Sequence, residues 1–274
     1  MHGRTSGLSL PAAYRVSNAA WDGYMAGIWH RLFDALNLAR DGTVVDIAPG
    51  GSTKIVQALA KHGFRGRLVL LDAAPDSCAR AAHSAQTYLP EATIEAHPSF
   101  LADSSLTLPR EPDLIAANHP LDDMLVAEDA SSETFARLFA WTQSDAVLSA
   151  AATHDVWTAL EADPERLTHA YAAVRQAWID VIGATAPRAV IISQYASSAL
   201  TDQGLDALNK QAKALLNEIK NAFAPSRRPD SEVQALLDTH ENYDNRYIGD
   251  EVLAAAHWGV LTNVRACIGS RTCS

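Results

Sequence analysis

Two short stretches hold residue types that could do chemistry. The first runs Val44-Val45-Asp46-Ile47-Ala48-Pro49-Gly50-Gly51-Ser52, and a second apolar run ends at Asp72 and Ala73, 22 residues after Gly50. Glycines let a ligand approach the backbone closely. A carboxylate at the end of the next strand can accept both hydroxyls of a ribose. Together they make a nucleoside pocket. The second stretch is Asn118-His119-Pro120-Leu121-Asp122-Asp123-Met124. Asp122, or His119 with an ordinary pKa of about 6.5, can take a proton. Both aspartates also suit the first turn of a helix, where carboxylates satisfy free N–H groups. His119, Asp122 and Asp123 have no matching ligand set elsewhere in the chain, so no metal is expected.

Other chemistries fit less well. A dinucleotide-binding turn wants G-x-G-x-x-G, but Ala48, Gly50 and Thr53 occupy those positions, one match in three. A phosphate-binding G-x-x-x-x-G-K-[ST] loop is absent. Twenty-two Lys and Arg against 32 Asp and Glu leave the 274-residue chain at −10, which argues against a nucleic-acid partner. Three cysteines, Cys78, Cys267 and Cys273, form no disulfide framework and read as free thiols. No apolar run reaches the roughly 18 residues of a membrane span. The expectation is a soluble cytoplasmic protein with a small-molecule substrate and no membrane partner.

The elements that must position these residues alternate. A helix is predicted over 12–38, with Trp21, Met25, Ile28, Trp29, Leu32, Phe33 and Leu36 on one face. Strands are predicted at 43–48, 67–72, 93–97, 113–117 and 188–195, with helices at 53–62 and 75–88 between them. This is the pattern of right-handed crossovers in a parallel sheet. Helices are predicted at 164–183 and 202–223, and the 121–186 region reads as a helical insertion contributing to a cap. A final strand is predicted over 257–268, and His240–Tyr247 reads as a lid or a solvated loop. The expected division is an N-terminal helical cap, 1–42, and one α/β domain, 43–274.

At residues 43–120, and more loosely at the fifth strand, the sequence resembles the class I S-adenosylmethionine-dependent methyltransferases. Their first motif is an acidic residue followed by a glycine-rich loop. Asp46-Ile47-Ala48-Pro49-Gly50-Gly51 is similar to it, with Ala48 in place of the usual first glycine. The resemblance implies a Rossmann-like fold, a mostly parallel sheet with helices on both faces, and S-adenosylmethionine as cofactor. It implies Asp46 near the methionine ammonium, Asp72 on the ribose, and Ala48, Gly50, Gly51 and Ala73 around the ligand. Ser99 would hydrogen-bond the adenine and Phe100 would pack on it. Asn118 to Leu121 resembles the Asn-Pro-Pro-aromatic motif of amino-group methyltransferases, in which the Asn oxygen accepts from an amine. His119 replaces the first proline and Leu121 the aromatic, whose loss argues against a flipped nucleobase. Tyr14, Trp21 and Tyr24 are candidates to hold the sulfonium by cation–π attraction.

The resemblance implies methyl transfer to an amine of a small metabolite. Val16-Ser17-Asn18-x-x-Trp21, Asp46 to Gly50 and Asn118 to Met124 are also similar to bacterial azetidine-2-carboxylate synthases. Those imply that the cofactor's own amine attacks its γ-carbon and releases methylthioadenosine. A non-catalytic cofactor-binding scaffold is the third reading.

Overall fold

The computed structural model describes residues 18–130, 156–195, 206–239 and 250–269. The expected helix is α1, Asn18–Ala35, whose predicted apolar stripe is buried from Met25 to Leu36. Then follow β1 (Thr43–Ile47), α2 (Lys54–His62), β2 (Arg67–Asp72), α3 (Pro75–Tyr88), β3 (Thr93–Pro98) and β4 (Leu114–Asn118). Next come α4 (Leu121–Asp129), α5 (Pro164–Thr185), β5 (Ala189–Ser193), α6 (Asp206–Ala222) and α7 (Asp230–Leu237). Last are β6 (Trp258–Thr262) and α8 (Val264–Gly269). Local chemistry sets the ends. Gly63 closes α2 at φ +72°, in the left-handed region that glycine adopts without steric cost. Asp163 caps α5 ahead of Pro164, accepting from the backbone N–H groups of Glu165 and Arg166.

The strands lie in the order β3-β2-β1-β4-β5-β6. All pairs are parallel except β5 with β6. The first five strands follow the order of dinucleotide-binding sheets, and the reversed last strand gives the class I methyltransferase arrangement. Helices cover both faces, as the sequence pattern requires. Val44, Leu68, Leu70 and Ala116 face α1, α2, α3 and α7. Val45, Ile47, Val69, Ile115 and Val190 face α4, α5 and α6. The interiors of β2, β4 and β5 are buried on both sides, which is why they read as unbroken apolar runs. The predicted insertion is a covering layer where it is described: Leu167, Val174 and Trp178 of α5 pack onto the sheet.

Two expectations are corrected. The last strand ends at Thr262, because Asn263 turns at φ +57° and the following residues wind into α8. Cys267 is not a free thiol; it is disulfide-bonded, whereas Cys78 is free and buried. Three cysteines exclude a framework but not one bond. No described helix is long and apolar enough to cross a membrane.

Candidate functional site

The turn after β1 is held open by hydrogen bonds rather than by glycine alone. Ala48 N–H still donates to the Leu71 carbonyl (2.7 Å), extending the parallel pairing by one residue. Ala48 then adopts φ +53° and Gly50 φ +58°, reversing the chain into α2. An alanine thus occupies a left-handed conformation that favours glycine. Asp72 fastens two loops together. Its Oδ2 accepts from Gly50 N–H and its Oδ1 from Ala74 N–H, both at 2.9 Å. Burial raises its pKa, partly offset by those two N–H groups and by Arg80. The third loop joins through Ser99 N–H, which donates to the Asp72 carbonyl (3.0 Å).

These loops enclose a cavity of about 400 Å³ at the carboxyl ends of the strands. It lies beside β1, where the neighbours β2 and β4 lead away in opposite directions, the switch point at which open α/β sheets bind ligands. Trp21, Ala48, Gly50, Gly51, Asp72, Ala73, Ser99, Phe100, Asn118 and His119 all line it. Asp22, Lys54, Asp123, Glu128, Trp157 and Tyr195 line it too. Its walls therefore carry four carboxyl groups and several aromatic rings, against one lysine and one imidazole. Such a lining suits an organic cation.

Several expected roles change. Asp46 does not line the cavity; it points from β1 toward α1 and α2, fully buried, and its Oδ1 has no hydrogen-bond partner. Burial, then the Asp72 charge, pushes its carboxyl well above the ordinary range. A carboxyl buried behind the cavity wall is poorly placed to meet a ligand's ammonium. Tyr24 is not on the cavity wall either. It stacks behind Trp21 with centroids 5.5 Å apart. Trp21 meets the Tyr195 ring edge-on at 6.1 Å. Tyr14 and the His240–Tyr247 segment lie outside the described residues.

The largest correction concerns Asn118. Trp29 Nε1–H, which can only donate, reaches Asn118 Oδ1 at 3.0 Å, and Ser193 Oγ donates to the same oxygen at 3.2 Å. The carbonyl end of the side chain is thereby spent and oriented. What remains for a ligand is the NH₂ end, a donor, where the resemblance implied an acceptor.

His119 and Asp122 are corrected together. His119 sits at φ +56°, with Nε2–H donating to the Tyr195 carbonyl (2.7 Å) and Nδ1 facing Asp122 Oδ1 (3.3 Å). Burial disfavours the charged ring, but Asp122 first, then Tyr195 and Asp123, outweigh it and push the pKa up to about 10. Asp122 is buried; desolvation is overcome by the facing imidazolium, and its pKa falls below the ordinary value. The two face each other as a buried ion pair. The neighbouring Asp123, about 100° further round the helix, lines the cavity instead. Burial, then Asp122, raises its pKa well above the ordinary value. Among the carboxyls on the cavity wall it is the one whose proton is held well above the ordinary carboxylate range.

Asp22 has no counterpart in the sequence reading. Its Oδ2 accepts from Thr53 N–H (2.8 Å) and Thr53 Oγ1–H (2.7 Å), and Lys54 Nζ lies 3.8 Å from its Oδ1. A residue of α1 thus caps α2. The signal was present: Asp22 precedes Met25, Ala26 and Trp29 by three, four and seven residues, a charge on the buried face of an apolar helix.

No protein-family model and no curated protein matches the sequence. Among solved structures the chain is similar to a cyclopropane-fatty-acyl-phospholipid synthase-like protein from Lactobacillus casei (TM-score 0.39, 12% identity, 66% of this chain and 53% of that one). It therefore spans about half the length of that protein. It is also similar to the methyltransferase domain of bacterial CtHen1-CN (TM-score 0.45, 14% identity, 86% and 99% covered). A third likeness is to the complex between the Haloferax volcanii Trm112 methyltransferase activator and a putative methyltransferase (TM-score 0.37, 10% identity, 92% and 96% covered). These likenesses extend to the fold only.

Proposed function

We propose that this protein is an enzyme that binds S-adenosylmethionine in the cavity and consumes it in small-molecule metabolism. The observation that carries this reading is Asp72: a carboxylate at the end of β2, tied to the Gly50 N–H, opening on an acidic cavity with aromatic walls. S-adenosylmethionine brings a ribose for Asp72, a sulfonium for the Trp21 and Tyr195 rings, and an ammonium for the remaining carboxyl groups. Lys54 and the Asn118 NH₂ are the donors available to its carboxylate. Ser99 and Phe100 remain the candidates for the adenine.

The first reaction to consider is methyl transfer to a small amine. The acceptor lone pair attacks the methyl carbon, the carbon–sulfur bond breaks, and its electron pair stays on sulfur in S-adenosylhomocysteine. The amine proton passes to Asp123 or to water. Most of the rate comes from holding donor and acceptor in line.

A second reading is favoured by two observations. Asn118 Oδ1 is already engaged, so the motif's hold on an external amine is lost. A cavity of about 400 Å³ sits at the low end of the range for one drug-sized ligand, roughly 300–1,000 Å³. Both favour chemistry within one bound molecule. There the cofactor's ammonium gives a proton to Asp123, the amine nitrogen attacks the γ-carbon, and the bond from that carbon to sulfur breaks. Methylthioadenosine leaves and the four-membered ring of azetidine-2-carboxylate remains.

Product analysis separates these. Purified protein is incubated with S-adenosylmethionine alone, then with a panel of small amines. Methylthioadenosine without an acceptor supports cyclisation; S-adenosylhomocysteine only with an acceptor supports methyl transfer. Binding with no turnover in either arm leaves a scaffold, and no binding by calorimetry overturns the proposal.

A further inference from the structure

A second cluster of chemically capable side chains stands at the other end of α1 and α2, apart from the cavity. The two helices run side by side in the same direction. Asp22, near the start of α1, clasps Thr53 at the start of α2, and Asp34, in the last turn of α1, meets His62, the last residue of α2. His30 lies one turn before Asp34 on the same face. One ligand atom from each of His30, Asp34 and His62 can be chosen so that all three lie within 4.8 Å of one another.

The spacing, with one histidine against each oxygen of Asp34, is within a small side-chain adjustment of a coordination shell. His62 Nδ1 is 3.0 Å from Asp34 Oδ1, and His30 Nε2 is 3.6 Å from Asp34 Oδ2. Tetrahedral ligands at bond lengths of about 2.0–2.1 Å stand roughly 3.3 Å apart. The far nitrogen of His62, Nε2, lies 2.8 Å from the Leu38 carbonyl. A carbonyl only accepts, so Nε2 carries a proton and Nδ1 is the nitrogen that turns to Asp34. A ring N–H fixed by a backbone carbonyl is the usual support of a metal-bound histidine. The field agrees as well. Asp34 places a negative charge where two helices present their negative carbonyl ends, an arrangement that favours a cation between them. His62 is buried while Asp34 is exposed, so the cluster is backed by protein and open to solvent on one side.

We propose that His30, Asp34 and His62 bind one divalent transition-metal ion, Zn²⁺ by the donor set of two imidazoles and one carboxylate with an open fourth position. The ion pins α1 to α2 at the end opposite the Asp22 clasp. Because α1 also carries Trp21 and Asp22, the ion steadies the helix that walls the cavity. The assignment does not depend on what the cavity binds.

The test uses the full chain, untagged and stripped of metal, titrated with ZnCl₂ by calorimetry and with Co²⁺ by visible absorption. One equivalent of Zn²⁺ is expected at micromolar affinity, with the intense visible bands of four-coordinate Co²⁺ and a rise in melting temperature. His30→Ala and Asp34→Asn should each weaken binding about tenfold or more. Both positions are solvent-accessible, so folding is preserved, unlike at buried His62. Absence of saturable one-to-one uptake, or unchanged affinity in either variant, overturns the site.

Discussion

The His119–Asp122 pair makes a sharp claim about pH and stability. His119 is held as an imidazolium between the Tyr195 carbonyl and the Asp122 carboxylate, its pKa raised from 6.5 to about 10. At about 1.36 kcal/mol per unit, that shift corresponds to roughly 4–5 kcal/mol. This is the scale, about 3–5 kcal/mol, of removing one partner from a buried pair. Because the folded pKa lies above the unfolded one, the stabilisation is complete below about pH 6.5 and is lost as pH rises through about 10. Asp122→Asn keeps the shape and removes the charge. It should cost about 3–5 kcal/mol at pH 6.5, and its stability should be nearly flat where the parent's falls. The assay is urea denaturation of both proteins between pH 6 and 10, with the His119 ring followed by NMR. A loss below about 1 kcal/mol, parallel pH curves for the two proteins, or a ring that is neutral at pH 8 would refute the buried imidazolium.

Three other substitutions test the rest of the site. Ala48→Gly relieves a left-handed alanine at φ +53° and should raise stability by about 1 kcal/mol in thermal denaturation. Asp72→Ala should weaken S-adenosylmethionine binding by about 1.5–3 kcal/mol by calorimetry, and should also loosen the fold by freeing the Gly50 and Ala74 N–H groups. Asp123→Asn should lower turnover by about 10²–10⁴-fold and erase the limb of the pH–rate profile that rises as the raised carboxyl ionises; near-parental turnover removes Asp123 from the chemistry.

The fold was legible because its signals are local and redundant. Buried parallel strands read as short apolar runs such as Leu68 to Leu71, and α1 declared its buried face by spacing alone. Turn chemistry set the boundaries at Gly63 and Pro164. The end of the chain was less legible. After Thr262 the residues Val264 to Ile268 remain apolar enough for a strand, and only the left-handed turn at Asn263 converts them to a helix.

The site was legible in its positions but not in its chemical sense. Which residues gather at the strand ends follows from topology, and most of the expected cofactor residues do line the cavity. Whether each offers a donor, an acceptor or a proton depends on partners that sequence spacing does not reveal. Asn118 presents a donor only because Trp29, 89 residues earlier, occupies its oxygen. Asp122 and Asp123 are chemically identical neighbours, yet one step round a helix commits the first to His119 and leaves the second facing the cavity. The i, i+3 spacing of His119 and Asp122 was the available clue. Each of these contacts removes an acceptor or a base from the cavity: the Asn118 oxygen, the His119 ring and the Asp122 carboxylate are all consumed in building it. On the proposed reading, proton transfer would fall to the carboxyls that remain on the wall, and of these Asp123 has its pKa raised well above the ordinary value.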